Sequence, residues 1–167
     1  LDIGVMMFDL NNLKVINDTY GHDEGDAFIR NFAALLTRIL NENSFLARFG
    51  GDEFLIVQEH TTVEEMEQLH EKLEEDVQVY NQTAIHPISY AVGYEVSYKN
   101  HYYLIKDLMK IADVKMYQDK LQKKARAGQT TWGICPVAGE HLLQSISADA
   151  LSRKMFTLLK NAPANCT

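Results

Sequence analysis

Three carboxylates stand where they could do chemistry. Asp52 and Glu53 follow two adjacent glycines in "RFGGDEF" (48–54), and Asp9 lies at the end of the apolar run "DIGVMMFDL" (2–10). A plain hairpin turn is satisfied by Asn-Gly or Asp-Gly and gains nothing from two neighbouring carboxylates. Carboxylates a few ångströms apart repel and raise each other's pKa unless a cation sits between them. Mg²⁺ suits that position, being a hard ion held by one or two carboxylates plus substrate phosphates. Gly50 and Gly51, without side chains, would let a nucleotide lie against the backbone and can take up positive φ. Standing alone, the motif reads as readily as a solvated acidic turn.

The elements around these residues decide whether they meet. The run 2–10 reads as a buried strand, and "NNLKVINDTYGHDEGD" (11–26) as polar and turn-rich. Phe28, Phe32, Leu35, Leu36, Ile39 and Leu40 form the stripe of an amphipathic helix. "SFLARF" (44–49) and "EFLIVQ" (53–58) look like two arms of a hairpin around Gly50-Gly51. Thr61-x-x-Glu64 and Thr62-x-x-Glu65 both fit a capping box opening a second helix, with Val63, Met66, Leu69, Leu73, Val77 and Tyr80 as its stripe. "HPISYAVGYEV" (86–96) reads as a strand with Pro87 at its start, where a missing N–H does least harm. Leu104, Leu108, Ile111, Ala112 and Met116 mark a third helix, and "TTWGI" (130–134) a last strand.

The order β-α-β-β-α-β-α-β predicts an α+β fold, a mainly antiparallel five-stranded sheet with helices packed on it. In a ferredoxin-like arrangement the first strand neighbours the hairpin, so Asp9 and Asp52 converge. Residues 1–133 form the expected domain, and 134–167 an extension with one helix over 147–160. That tail reads equally as a dimer contact, a linker or simple packing.

With 167 residues, 46% of them apolar, the chain has about one domain's worth of core. A net charge of −7 argues against general binding to nucleic acid or an anionic membrane, while leaving room for a local phosphate pocket. Cys135 and Cys166 lack metal-type spacing and read as reduced thiols of a cytoplasmic segment. No apolar run approaches the roughly 18–20 residues of a membrane span, although the parent protein could be anchored elsewhere. Leu1 opens the chain inside a strand-like run, so it reads as a fragment of something longer. His22, His60, His70, His86, His101 and His141 have no ligand spacing and are expected at the surface or in local hydrogen bonds.

"RFGGDEF" and "FDLNNLKVINDTYGHDEGD" resemble the signature stretches of the GGDEF family, the diguanylate cyclases, and "AVGYE" and "IADVKMYQDK" resemble its later strand and helix. The likeness covers about residues 3–133, with the motifs in the family's order. It implies a palm-like domain that condenses two GTP molecules into cyclic di-GMP with Mg²⁺ or Mn²⁺. Each domain of that family holds one GTP, so catalysis needs a homodimer, commonly set up by regulatory sensor domains in the parent chain.

Carried over by position, the resemblance makes Asp9 and Asp52 metal ligands, assisted by the Leu10 carbonyl. Glu53 becomes a further ligand or the base for the attacking 3′-hydroxyl. Asn17 and Asp26 read the guanine edge; a carboxylate accepts from guanine N1–H and N2–H₂ together. Asn12, Leu13, Gly50 and Gly51 line the phosphates, and Lys120 and Lys124, four apart on one helix face, hold the terminal ones. A solvated basic helix end is the plainer reading of "KLQKK" (120–124).

Asn11 stands where the family has a second Asp, which loses a charge, and Leu13 where it has Phe. The family's inhibitory product site, Arg-x-x-Asp, falls on Asn41-Glu42-Asn43-Ser44, so no such site is expected. Lys123, Lys124 and Ala125 replace a Gly-Arg-Asn, trading a guanidinium fork for point charges. A stretch that the family carries before its first strand is missing. The alternative is a GTP-binding regulatory module of the same fold without turnover; a purely structural scaffold is the third reading.

Overall fold

A computed structural model describes residues 2–97 and 104–127. Four strands, β1 (Ile3–Leu10), β2 (Ser44–Arg48), β3 (Glu53–Glu59) and β4 (Tyr90–Val96), form one antiparallel sheet in the order β2-β3-β1-β4. The helices are α1 (Leu13–Tyr20), α2 (His22–Ile39), α3 (Val63–Asn81) and α4 (Ile105–Arg126). This is the expected α+β architecture. The expected fifth strand (130–134), the helix over 147–160, the domain boundary at 133 and both cysteines lie outside the described residues.

β1 is apolar up to Asp9 because it is a central strand with both faces covered. One face carries Met6 and Phe8, which join Phe32 and Phe54 in a fully buried cluster with α2 and α3. Phe8, Phe32, Phe54 and Tyr90 meet ring to ring there, with centroids 5.2–6.0 Å apart. The other face carries Val5 and Met7, covered by Leu108, Ala112 and Met116 of α4. Gly93 lets α4 lie directly on β4: a Cβ there would sit 2.1 Å from the Ala112 carbonyl oxygen and 2.2 Å from the Met116 nitrogen.

Three expectations change. Residues 11–26 are not mainly turn: α1 occupies 13–20 and α2 opens at His22, ahead of its apolar stripe. α1 buries only Leu13 and Ile16, too few positions for a helical period to stand out. Asn12 precedes it in the left-handed region at φ 67°, and Gly21, at φ 93°, separates the two helices. β4 starts at Tyr90 rather than His86, because Asn81 takes the Ile88 N–H (2.7 Å) and carbonyl (2.8 Å) with its side-chain amide. Leu104 precedes α4 and is 59% exposed, so it is not part of the buried stripe. Of the two capping boxes, Thr62 with Glu65 is the one formed.

Candidate functional site

The register of the sheet sets the site. Asp9 of β1 faces Glu53 of β3, and the Leu10 N–H donates to the Asp52 carbonyl at 2.8 Å, tying the hairpin turn to the end of the central strand. Burial, then the nearby Asp9 carboxylate, push the Asp52 carboxyl above the usual range; Glu53 adds to this, while the Asp52 backbone N–H and Lys120 act against it. Lys120 reaches in from α4 and donates to Asp9 Oδ1 at 2.8 Å. Asp9 and Asp52 are thus brought together as expected, with an ammonium already on one of them.

Glu53, opposite Asp9 in the register, also lies by its own turn. A Cβ on Gly50 would lie 3.1 Å from Glu53 Oε2, so the carboxylate folds over its own turn. Among the described residues no group of three or more His, Cys, Asp or Glu side chains is gathered to hold a metal. The donor set offered is therefore two carboxylates, Asp9 and Asp52, with backbone oxygens beside them. That set fits Mg²⁺, which keeps waters and takes its remaining ligands from phosphates. The repulsion that raises Asp52 is what a bound cation would relieve.

Neither Gly50 nor Gly51 takes positive φ among the described glycines, where Gly21 alone does. The room they leave is used instead: Gly50 makes space for the Glu53 carboxylate. A Cβ on Gly51 would stand 3.9 Å from Leu13 Cδ2, so the turn lies beside the start of α1. Leu13 and Gly51 accordingly lie side by side, with Asn12 and Gly50 next to them in the chain.

Asn17 meets the residue just before Asp26. The Asn17 amide is pressed against the first turn of α2, where a Cβ on Gly25 would fall 1.8 Å from Asn17 Oδ1. Asp26, next along, is exposed. Lys124 is exposed as well, and the residue that turns inward is Lys123, whose Nζ donates to the Tyr90 carbonyl (2.9 Å) and pairs with Asp119 (2.7 Å). Asn11 turns its amide nitrogen to Ser89 Oγ at 3.0 Å.

Sequence reasoning passed over Arg48. Its guanidinium donates to the Gly50 carbonyl (Nε, 3.0 Å) and the Gly51 carbonyl (Nη2, 2.9 Å), pinning both glycines from one side. The signal was available, since an arginine two residues before a Gly-Gly turn can reach its carbonyls. Of the histidines, His70 lies near Glu74 (3.6 Å) and His86 near Glu24 (3.4 Å), while His22 and His60 are exposed. His101 and His141 fall outside the described residues.

The chain is similar to known proteins in sequence and in fold. It is 34% identical over 128 residues to the signaling protein YkoW of Bacillus subtilis, covering 73% of this chain and 16% of that protein. A diguanylate cyclase of Vibrio cholerae is 38% identical over 71 residues, 42% of this chain and 22% of that protein. The chain thus spans under a quarter of these two relatives. It is also similar to the cyclic di-GMP phosphodiesterase NbdA of Pseudomonas aeruginosa, at 30% identity over 71% of this chain and 15% of that protein. Among solved structures, the active GGEEF domain of a diguanylate cyclase from Vibrio cholerae superposes with a TM-score of 0.64 at 28% identity, over 72% of this chain and 78% of that one. Residues 1–126 match the family described as "Diguanylate cyclase, GGDEF domain", and the chain belongs to that family.

Proposed function

We propose that the chain is the catalytic domain of a diguanylate cyclase, converting two GTP into cyclic di-GMP and two pyrophosphates. The observation that carries this is the meeting of Asp9 and Asp52 at the joined ends of β1 and the hairpin, with Lys120 beside them. In each half-reaction the 3′-oxygen of one GTP attacks the α-phosphorus of the other. The new O3′–P bond forms as the bond from that phosphorus to the bridging oxygen breaks, and pyrophosphate leaves. A Mg²⁺ or Mn²⁺ ion bound by Asp9 and Asp52, with the Leu10 carbonyl, would supply neutralisation of the charge that builds on the phosphates.

The chain's own residues do the rest. Glu53, over Gly50, takes the 3′-hydroxyl proton. Asn12, Leu13, Gly50 and Gly51 shape a floor for the triphosphate, and Arg48 holds that floor's carbonyls away from it. Lys120 and Lys124 face the terminal phosphates. Asn17 and Asp26 select guanine. A second copy must present the other GTP, so turnover depends on pairing, and sensor domains elsewhere in a longer parent protein would govern it. No helix among the described residues is long and apolar enough to cross a membrane. A GTP-consuming site of this kind works on the cytoplasmic side.

The test is incubation with GTP and Mg²⁺ or Mn²⁺ at rising protein concentration, with products separated by chromatography. Cyclic di-GMP forming more than linearly with protein is expected. GTP bound without product, in a chain shown to dimerise, would sink the enzyme. The second reading, a GTP-binding module that regulates a neighbouring domain, draws support from relatives such as NbdA, in which a similar stretch lies within a phosphodiesterase.

A further inference from the structure

The Lys120–Asp9 pair crosses the fold between residues 111 positions apart and sits at the carboxylate that the proposed function gives to a divalent ion. It is partly shielded, the side chains being 30% and 16% exposed. The neighbouring cation Lys123 is already engaged by Asp119 and the Tyr90 carbonyl, so it does not share the load on Asp9. With the ammonium in place, Asp9 is neutralised beside Asp52; without it, two carboxylates face each other in a half-buried corner. A divalent ion arriving alone must therefore meet a positive charge on one of its ligands. A triphosphate changes the balance, because it offers the flexible lysine a more highly charged partner.

We propose that Lys120 stands in for the divalent ion on Asp9 until a triphosphate draws it away, so that the site takes metal and nucleotide together and resists metal alone. This rests on the phosphoryl-transfer reading of the site. Lys120 is then a positioning residue for the metal-free state as well as a phosphate contact, and the two ligands are coupled through one side chain. Coupling is reciprocal: whatever factor the nucleotide adds to metal affinity, the metal adds to nucleotide affinity.

The experiment measures Mn²⁺ binding by the loss of its free electron-spin-resonance signal. It is run on the whole chain and on Lys120→Met, with and without a GTP analogue carrying a methylene between the α- and β-phosphates. Lys120→Met is expected to bind Mn²⁺ alone about tenfold tighter, equivalent to about 1.4 kcal/mol. The gain in Mn²⁺ affinity on adding the analogue should shrink. A merely structural lysine would not tighten metal binding when removed. If the parent takes Mn²⁺ beside the analogue but Lys120→Met binds Mn²⁺ alone no tighter than the parent, the inference falls and the functional reading stands. If the parent takes no Mn²⁺ even with the analogue, the functional reading fails and this inference with it. Thermal unfolding checks that Lys120→Met folds; Lys120→Gln, which keeps hydrogen bonding without the charge, carries the same expectation if it does not.

Discussion

The β2–β3 ribbon has two ends, and they treat their polar groups in opposite ways. At the open end of the ribbon, Asn41, Asn43 and Ser44 meet Gln58 and close on themselves. The Asn43 N–H (2.9 Å) and Gln58 Nε2 (3.0 Å) donate to Asn41 Oδ1, and the Ser44 hydroxyl has one proton to share between Asn41 Oδ1 (3.0 Å) and Gln58 Oε1. Gln58 is only 6% exposed, yet it is satisfied. At the turn end, Asp52 is raised by burial and by Asp9, and the cation on Asp9 belongs to a side chain from a distant helix. One end spends its hydrogen bonds on holding the ribbon together; the other leaves an electrostatic imbalance for something else to correct. Unrelieved charge in a preformed pocket is a common mark of function, and a closed polar network of structure.

Four changes can break or sharpen that contrast. Asp52→Asn should have the largest effect, lowering GTP turnover at least about a hundredfold, the scale of losing a group that serves developing charge. Because it removes a charge that burial and Asp9 already oppose, the melting temperature should hold or rise. Turnover surviving this change would contradict the metal assignment.

Gln58→Ala should do the reverse. It strips bonds from a buried network and should cost about 2 kcal/mol in denaturant unfolding, with turnover per folded molecule unchanged. Equal stability would mean that the network contributes nothing. Gly25→Ala comes next. Glycine to alanine inside a helix ordinarily gains about 0.5–1 kcal/mol. Here the new methyl must displace the Asn17 amide, so GTP should bind about fivefold more weakly, near 1 kcal/mol. Unaltered GTP affinity by calorimetry would show that Asn17 does not contact the base.

The smallest effect concerns His70. Burial holds its imidazole below the usual 6.5, with Glu74 opposing. The unfolded chain therefore takes up that proton first as pH falls, and stability declines below about pH 6.5 and levels off once the folded form titrates. His70→Gln should flatten that slope in denaturant midpoints measured from pH 7.5 to 5. An identical slope would exclude His70 as its source.

Much of this was legible beforehand, for reasons that differ by residue. β1, the hairpin, α3 and α4 announce themselves through long apolar runs, flanking glycines and a capping box. The convergence of Asp9 with Asp52 followed from strand order alone. α1 was missed because two buried side chains in eight residues make no visible period. The start of β4 was misplaced because Asn81, from another element, occupies the backbone groups of Ile88. Gly50 does not take the positive φ open to it, and part of the space it leaves is occupied by Glu53. Arg48 stands two residues before the glycines, within reach of their carbonyls, whereas the Lys120–Asp9 pair depends on side-chain directions that spacing does not encode.

Gly93 carries a last consequence. It lies two residues along β4 from Ala91, the partner of Asp9, and sets how closely α4 can approach the sheet; Lys120 follows Met116 by about one turn, roughly 6 Å along the axis. Any side chain at that position would wedge the helix outward and leave the ammonium short of Asp9. The tolerance of the whole pocket is thus gauged by a missing methyl, and a lesion there would mimic loss of the lysine with every charged residue intact.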